Sequence, residues 1–335
     1  MKVSVKKISE LTGFSQATVS NALNGKRGVN QKTAEIIREA AEKLGYFSEN
    51  HISKVKFVMY KRDGRVVEDT PYFPLLIAGV EQECRTNGMD LTICNLDRRD
   101  SDFAEQLRQV QQDNTCGVIL LGTEIMDEDI GIIQGMNCPY VLIDYWKDDM
   151  NLNSIMINNV DSARIATDYL IRNGHREIGY LYGDFRIVPF ETRFAGYRSS
   201  LRRNGIPMKE EYLVKVGTTM DTAYQGMLKY LSAKPKLPTA FFVDNDMIAL
   251  GAMKACQDKG IRIPEDLSMV GFDDLTFSSI AATPLTTLRV PKQEMGRYAV
   301  RRLLDVINGN GDKNAFAKVL ICTEFVERSS VRKMN

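Results

Sequence analysis

The chain has 335 residues, of which 44% are hydrophobic and 26% are charged, and its formal net charge is +1. This balance predicts an ordinary soluble protein that is long enough for a small head and two further lobes. The N-terminus lacks an apolar signal-type segment and no run approaches 18 apolar residues. We therefore expect neither secretion nor a membrane span, and predict a cytoplasmic protein.

Cysteine and histidine usage argues against a metal centre. The two histidines, His51 and His175, are far apart in the sequence, and no CxxC spacing occurs. The six cysteines are scattered, which favours reduced and mostly buried thiols over disulfides or metal ligands. We expect no metal and no cofactor. The cysteines are Cys84, Cys94, Cys116, Cys138, Cys256 and Cys322.

The first 45 residues predict three short helices that are separated by glycines. Ser15 and Asn30 are suited to cap the second and third helices, and Gly13 supplies the tight turn between the first two. Apolar residues recur at helical spacing in each segment, which predicts one small shared core. They are Val5, Ile8 and Leu11, then Val19, Ala22 and Leu23, then Ile37, Ala41 and Leu44.

The outer face of the second helix is small and polar. It carries Gln16, Ala17, Ser20 and Asn21, and such a surface suits a DNA major groove because amides can pair with base edges. The alternative is a three-helix interaction domain that touches no nucleic acid. Charge favours DNA: residues 1 to 56 carry ten Lys or Arg against five Glu, so their net charge is +5 and the rest of the chain carries about −4.

The segment from Val3 to Tyr46, with its fragment TVSNALNG, closely resembles the head of the lactose and galactose repressor family (LacI/GalR). The resemblance implies that the second helix lies in the major groove, where Gln16, Ala17 and Asn21 read bases. Ser15 and Thr18 would cap the helix as well as hold phosphates. The residues expected on the DNA backbone are Ser4, Ser15, Thr18, Ser20, Asn24 and Lys26.

The segment after the head departs from the family pattern. Family members carry a segment similar to PNxxARxL that folds into a hinge helix and wedges a leucine into the minor groove. Here Tyr46 is followed by FSENHISK, which lacks both the proline and the ARxL pattern. Ile52 is the one candidate wedge in this linker. We expect a flexible tether and less operator bending than in typical relatives.

From Val55 onward, apolar strand-like segments alternate with helix-like segments. VKFVMYK, MDLTICN, GVILLG and PYVLID form one series, and EIGYLYGD, TAFFVDND and DLSMVGFDD form a second. This alternation predicts parallel sheets covered by helices, in two α/β lobes with a ligand cleft between them. Polar residues at the predicted strand ends would face that cleft. They are Asp144, Asp184, Asp244, Asn245, Asp246, Asp273 and Asp274.

The body also resembles the same family, in segments such as RFAGY, DNDMIALGAM and PLTTLRVPKQEMGRYAV. The implied fold is an N-terminal all-α helix-turn-helix head followed by an α/β two-lobed body of the type I periplasmic-binding-protein kind. We place the head at 1–46, a short linker at 47–54 and the effector-binding and dimerisation body at 55–335. Lobe 1 would comprise about 55–159 and 290–312, and lobe 2 about 160–289 and 313–330.

The resemblance places an effector site in the cleft. An aromatic face, a planar guanidinium and carboxylates suit a sugar ring and its hydroxyls. Other roles are open: Asp273 could cap a helix, Arg193 could form a surface ion pair, and Tyr72 with Phe73 could be plain core. The candidate effector residues are Tyr72, Phe73, Asp144, Trp146, Arg193, Asn245 and Asp273.

These features predict a ligand-responsive, DNA-binding transcriptional regulator. The expected form is a homodimeric repressor that binds a near-palindromic operator and is released by a sugar-type inducer, with a co-repressor as the alternative to an inducer. A nucleobase or nucleoside is the alternative effector, although Ile187 and Pro189 stand where the purine-responsive branch has an arginine and a threonine. An enzyme or a transport receptor is disfavoured, since GxGxxG, GxxxxGK[ST] and GxSxG motifs are missing and the head is basic.

Overall fold

The computed structural model describes residues 5–23, 29–43, 52–68, 70–309 and 315–334. Three helices form the head: α1 (Val5–Thr12), α2 (Gln16–Leu23) and α3 (Gln31–Lys43). Ile8, Val19 and Ile37 are fully buried at their centre, as the helical spacing predicts. Leu11 was expected to join them but is 60% exposed, because α1 turns this side away from its two partners.

The caps of the head follow from short polar side chains. The Ser15 hydroxyl accepts a hydrogen bond from the Thr18 amide at 3.1 Å, and Asn30 Oδ1 accepts one from the Thr33 amide at 2.8 Å. Both contacts satisfy amides that have no partner inside the helix. Gly13 has a positive φ of 74°, which a residue with a Cβ adopts only at a cost.

Lobe 1 is built on a six-stranded parallel sheet with the order β11-β5-β4-β3-β1-β2. Its central strand β3 (Gly117–Leu121) is buried along its whole length, which explains its continuous apolar sequence. The other strands are β1 (Lys54–Lys61), β2 (Asp90–Asp97), β4 (Tyr140–Ile143), β5 (Ser154–Ile157) and β11 (Lys318–Ile321). The helices are α4 (Tyr72–Thr86), α5 (Phe103–Gln112), α6 (Gly131–Gln134) and α12 (Lys292–Asn308), with a 3₁₀ turn at Asp127–Asp129.

Lobe 2 contains a four-stranded parallel sheet with the order β7-β6-β8-β9. Buried aliphatic and aromatic side chains fill both of its faces. Its strands are β6 (Ile178–Gly183), β7 (Leu213–Val216), β8 (Ala240–Val243) and β9 (Ser268–Val270). Its helices are α7 (Asn159–Arg172), α8 (Val188–Arg203), α9 (Met220–Ser232), α10 (Asp246–Asp258) and α11 (Thr276–Ile280), with a 3₁₀ turn at Glu210–Tyr212.

Two short strands connect the lobes as an antiparallel pair, β10 (Thr287–Arg289) and β12 (Glu324–Val326). The prediction that 313–330 lies in lobe 2 is wrong in part, because β11 pairs with β5 in the lobe 1 sheet. The last crossing therefore falls after Ile321, later than the lobe boundary predicted at residue 313. In KVLICTEFV only Thr323 and Glu324 separate two apolar runs, so the sequence pattern gives little sign of where the chain changes lobes.

The described residues also show the state of the cysteines, the burial of Ile52 and the character of the helices. Of the six cysteines, Cys84, Cys116, Cys138 and Cys256 are buried free thiols. Burial raises the pKa of the Cys84 thiol to about 12, which keeps it protonated and unreactive at neutral pH. Ile52, the candidate wedge, is buried, with 8% of its surface exposed. None of the helices in the described ranges is long and apolar enough to cross a membrane.

Candidate functional site

The outer face of α2 presents the predicted base-reading side chains. Gln16 and Ala17 are exposed, and Ser20 and Asn21 are half-buried at the side of the same helix. The inner face is closed by Val19 and Ala22, so the polar face points away from the core of the head. Ser4, Asn24 and Lys26, which we predicted to hold phosphates, lie outside the described residues.

The second site lies where the carboxyl ends of the two parallel sheets face each other. Loops after β1, β3 and β4 in lobe 1 meet loops after β6, β8 and β9 in lobe 2, as expected for α/β folds. They enclose a cavity of only about 30 Å³, so the cleft is nearly closed in this structure. The lining residues are Val66, Thr70, Tyr72, Phe73, Thr123, Asp144, Ile187, Pro189, Phe190, Arg193, Asn245 and Asp273.

Arg193, on α8, is the buried cation of this cleft. It is 3% exposed, which excludes the surface ion pair considered for it. Its Nε donates to Asn159 Oδ1 at 2.9 Å and its Nη1 donates to the Asp244 carbonyl oxygen at 2.6 Å. The guanidinium also lies over the Phe272 ring, with its central carbon 3.6 Å from the ring centre. These contacts hold the guanidinium plane in one orientation at the cleft.

Two buried carboxylates face the same space. Asp144 follows β4 with a φ of 62°, and Asp273 follows β9 with a φ of 110°, so both occupy backbone conformations that are costly for residues other than glycine. The Oδ1 atom of each is buried and has no hydrogen-bond partner among the described residues. Asp144 Oδ2 accepts only a 3.2 Å hydrogen bond from the Thr123 hydroxyl. The cleft thus offers acceptors that a ligand with hydroxyl or N–H donors can satisfy.

Burial also sets the charge of these carboxylates. It raises the pKa of Asp144 to about 6, against the opposing effect of the Arg193 charge. It likewise raises the pKa of Asp273 to about 6, although Arg193 and Lys292 both lower it. A carboxyl group with such a pKa changes charge near neutral pH. A ligand that contacts Asp144 or Asp273 can therefore change the protonation state of these carboxyl groups.

The aromatic pair combines two roles that the sequence left as alternatives. Tyr72 and Phe73 begin α4, where their rings pack edge to face at 5.0 Å between centres. Both belong to the main core and both line the cleft. Phe190, two residues after Val188 at the start of α8, lines the opposite side. The cleft is consequently bounded by aromatic surface from both lobes.

Lys292 is a functional candidate that sequence analysis missed. It begins α12 and is only 5% exposed, although lysine is seldom buried. Its Nζ donates to the Asp273 carbonyl oxygen and lies 5.3 Å from the centre of the Tyr72 ring. Burial lowers its pKa, while Asp273 raises it. The proline before it is typical of a helix start but does not indicate burial, because the groups that surround Lys292 come from Asp273 and Tyr72, far away in the sequence.

Asn245 and Trp146 differ in how well they fit the prediction. Asn245 lines the cleft and also caps α10, because its Oδ1 accepts from the Ile248 amide at 3.0 Å. Trp146 is not among the described residues that line the cleft. Its ring instead lies 5.9 Å from the Lys318 ammonium on the edge strand β11, so stacking on a cleft ligand is not supported.

The remaining strand-end acids have structural partners. Asp244 is fully buried and accepts from the Tyr180 hydroxyl, the Gly183 amide and Arg186. Asp246 accepts from the Leu275 amide at 2.9 Å and from the hydroxyls of Ser278 and Thr287, both at 2.6 Å. Asp274 pairs with Arg289 and Arg328. Neither Asp273 nor Asp274 caps α11, whose N-cap is Leu275.

Family models match both the head and the body of this chain. Residues 4–49 match the model described as bacterial regulatory proteins, lacI family, and residues 167–331 match the periplasmic binding protein-like domain. The HTH-type transcriptional repressor PurR of Mannheimia succiniciproducens is 30% identical over 333 residues, covering 98% of this chain and 99% of that protein. PurR of Actinobacillus pleuropneumoniae is 28% identical over 333 residues, covering 99% of each.

Solved structures show the same fold. The transcriptional regulator CelR in complex with cellobiose is 26% identical, with a TM-score of 0.74 over 98% of this chain and 100% of that one. The Lac repressor dimer bound to operator and the anti-inducer ONPF is 24% identical, with a TM-score of 0.74 over 99% and 100% of the two chains.

A helix-turn-helix head on a two-lobed periplasmic-binding-protein-like body defines a DNA-binding transcriptional regulator. The chain belongs to the lacI family of bacterial regulatory proteins. The resemblance seen in the sequence and the predicted fold class are both confirmed.

Proposed function

We propose that this protein is a homodimeric transcriptional repressor whose hold on a near-palindromic operator is released by a small sugar or sugar derivative. One head reads only a few base pairs, so two heads on two half-sites roughly double the specific contacts. Full-length relatives that are repressors support this regulatory role. Gln16, Ala17 and Asn21 would read bases, with phosphates held by Ser4, Ser15, Thr18, Ser20, Asn24 and Lys26.

The observation that carries the effector assignment is the convergence of Arg193 with two carboxylates that each keep an unpartnered buried oxygen. Sugar hydroxyls donate to carboxylates and accept from a guanidinium, so one ring can satisfy all three groups. Tyr72 and Phe190 supply apolar faces on either side. A solved neighbour with 26% identity holds cellobiose, which agrees in ligand class.

A nucleobase or nucleoside is the second candidate. Aromatic residues from both lobes can sandwich a planar ring, and Asn245 and Asp273 can pair with its polar edge. The full-length relatives named PurR support testing nucleobases and nucleosides as effectors. Ile187 and Pro189 weigh against it, because they put apolar surface where the purine-responsive branch has polar side chains.

A thermal-shift panel of sugars, sugar phosphates, nucleobases and nucleosides tests both candidates. Ligand at 100 times its dissociation constant adds about 2.7 kcal/mol to the free energy of unfolding. The matched control is Asp273→Asn, which retains the shape of the side chain but loses its charge. A shift that survives unchanged in this variant would place the ligand elsewhere.

An operator-release assay with any compound that shifts the melting temperature completes the test. A repressor of the proposed kind loses operator affinity about 5- to 150-fold when its inducer binds. Tighter operator binding would instead identify a co-repressor. The same samples, checked for consumption of the compound, would reveal an enzyme if turnover occurred.

A further inference from the structure

The backbone of the loop after β1, residues 62–68, is held on lobe 1 by the fully buried carboxylate of Glu124. We call this loop the strap. Glu124 is fully buried, and its carboxylate accepts hydrogen bonds from five backbone amides of the strap. Its Oε2 accepts from residues 62, 63 and 64 at 2.9, 3.2 and 2.9 Å, and its Oε1 accepts from residues 66 and 67 at 2.9 and 3.1 Å. Such a nest fixes the backbone of the strap.

Other contacts tie the outer side of the strap to lobe 1. Arg99 donates to the Asp63 carbonyl oxygen at 2.9 Å and to Glu68 Oε1 at 2.7 Å. Arg62 donates to Asp129 Oδ2 at 2.7 Å. Gly64 turns the chain around the carboxylate with a φ of 79°. The strap is therefore a rigid bracket rather than a loose loop.

One side chain of this bracket reaches lobe 2. Arg65 Nη1 lies 3.5 Å from Asp184 Oδ2, and its guanidinium carbon lies 5.8 Å from the centre of the Phe185 ring. Asp184 is itself oriented by the Thr218 hydroxyl, which donates to its Oδ1 at 2.9 Å. The next residue of the strap, Val66, lines the effector cleft. Two adjacent residues of the strap therefore link the lobes and the cleft: Arg65 contacts lobe 2, and Val66 forms part of the cleft wall.

We propose that the strap is a latch on the effector cleft, in which Arg65 holds the lobes closed through Asp184 and Glu124 is the positioning residue that presents Arg65. The inference rests on the proposed function, since a latch matters only if closure retains an effector. The latching pair is half exposed, and such pairs change an equilibrium by about two- to five-fold. That is enough to bias a two-state closure without blocking ligand exchange.

The closing experiment measures the interlobe distance in effector-free, full-length protein by single-molecule energy transfer. The dyes are attached through unnatural amino acids at the exposed positions Gln109 on α5 and Gln225 on α9. We expect Arg65→Ala and Asp184→Ala each to raise the ratio of open to closed molecules two- to five-fold. Arg65→Lys, which keeps a cation between Asp63 and Asp184, should change the ratio less than Arg65→Ala does.

The matched control is Arg85→Ala, which removes an exposed arginine of the same chemistry that pairs with Glu81 within α4 at 3.2 Å. It should leave the ratio unchanged. An unchanged ratio in both Arg65→Ala and Asp184→Ala, or an equal change in Arg85→Ala, would overturn the latch.

The role of Glu124 is tested with Glu124→Gln, and with Glu124→Asp in case the first variant folds poorly. Hydrogen exchange of the amides of residues 62 to 67 should become faster, and the open fraction should rise as in Arg65→Ala. Adding Glu124→Gln to Arg65→Ala should give no further opening, because both act through one contact. Additive opening would show that Glu124 acts only through general stability.

The outcomes separate the latch from the proposed function. If no sugar or nucleoside stabilises the protein but the distances respond as stated, the effector assignment fails and the latch stands. If a sugar binds but the distances do not respond, the latch fails alone.

Discussion

Arg193 Nη2 lies 3.6 Å from Asp273 Oδ1, close enough for charge attraction but beyond hydrogen-bond range. The other nitrogens of the guanidinium are fixed by Asn159 and by the Asp244 carbonyl oxygen, so the group does not move to close this gap. The carboxylate oxygen is left without a hydrogen bond among the described residues. We regard this incomplete pair as the centre of the effector site.

Asp273→Asn is the sharpest test of that centre. The substitution keeps the volume and removes the charge that a ligand hydroxyl or N–H would meet, so effector affinity should fall by about 2 kcal/mol, or roughly 30-fold. Calorimetric titration with the compound found in the thermal-shift panel measures it. Operator affinity without effector should stay within two-fold. Full effector affinity in the variant would contradict the assignment.

Effector binding should depend on pH near 6. Burial raises the pKa of Asp144 and of Asp273 to about 6, above the ordinary value of about 3.9. Stability from these two groups is thus fully present below about pH 4 and is lost as the pH rises through 6. Ligand donors favour the ionised forms, so affinity should increase from pH 5 to 7.5 and binding should release protons. Calorimetry in buffers of different ionisation enthalpy reports that release, and proton uptake would refute it.

Substitutions on α2 should change sequence preference. Gln16→Ala or Asn21→Ala should lose about 1 to 3 kcal/mol of discrimination between matched and altered operators, since each amide can make two hydrogen bonds to one base. Lys26→Ala is the contrasting variant and should weaken binding to all sequences alike. Fluorescence anisotropy on a set of operator variants separates these effects. Unchanged preference in both amide variants would mean that α2 does not read the bases.

Ile52→Ala should affect folding more than DNA binding. Because Ile52 is only 8% exposed, removing its side chain should lower the free energy of unfolding by about 2 kcal/mol or more. Denaturant unfolding measures that loss, and Ile280→Ala, at a position that is 73% exposed, is the matched control.

The linker is also expected to bend the operator less than family members with a PNxxARxL hinge do. A circular-permutation bending assay checks this expectation. A sharp central kink that Ile52→Ala abolishes, together with most of the affinity, would show that Ile52 leaves its buried position and wedges into DNA.

The sequence by itself determined the class of this protein. Helical spacing around Ile8, Val19 and Ile37 predicted the head core, and alternating apolar segments predicted two parallel sheets. These patterns are local, because secondary structure and capping depend on residues within a few positions of one another. Strand ends carrying Asp144 and Asp273 were visible for the same reason.

Only the tertiary structure decided which polar residues face the cleft. Asp244 and Asp246 both follow strand β8, as Asn245 does, but buried hydrogen bonds inside the protein occupy their carboxylates. Asp273, in contrast, has a buried oxygen with no hydrogen-bond partner among the described residues. Such pairing depends on groups that are distant in the sequence. Glu124, for example, accepts hydrogen bonds from five amides that lie about 60 residues away. The sequence pattern also did not predict that the chain changes lobes after Ile321 or that Lys292 is buried. Both depend on which elements pack together in the folded protein.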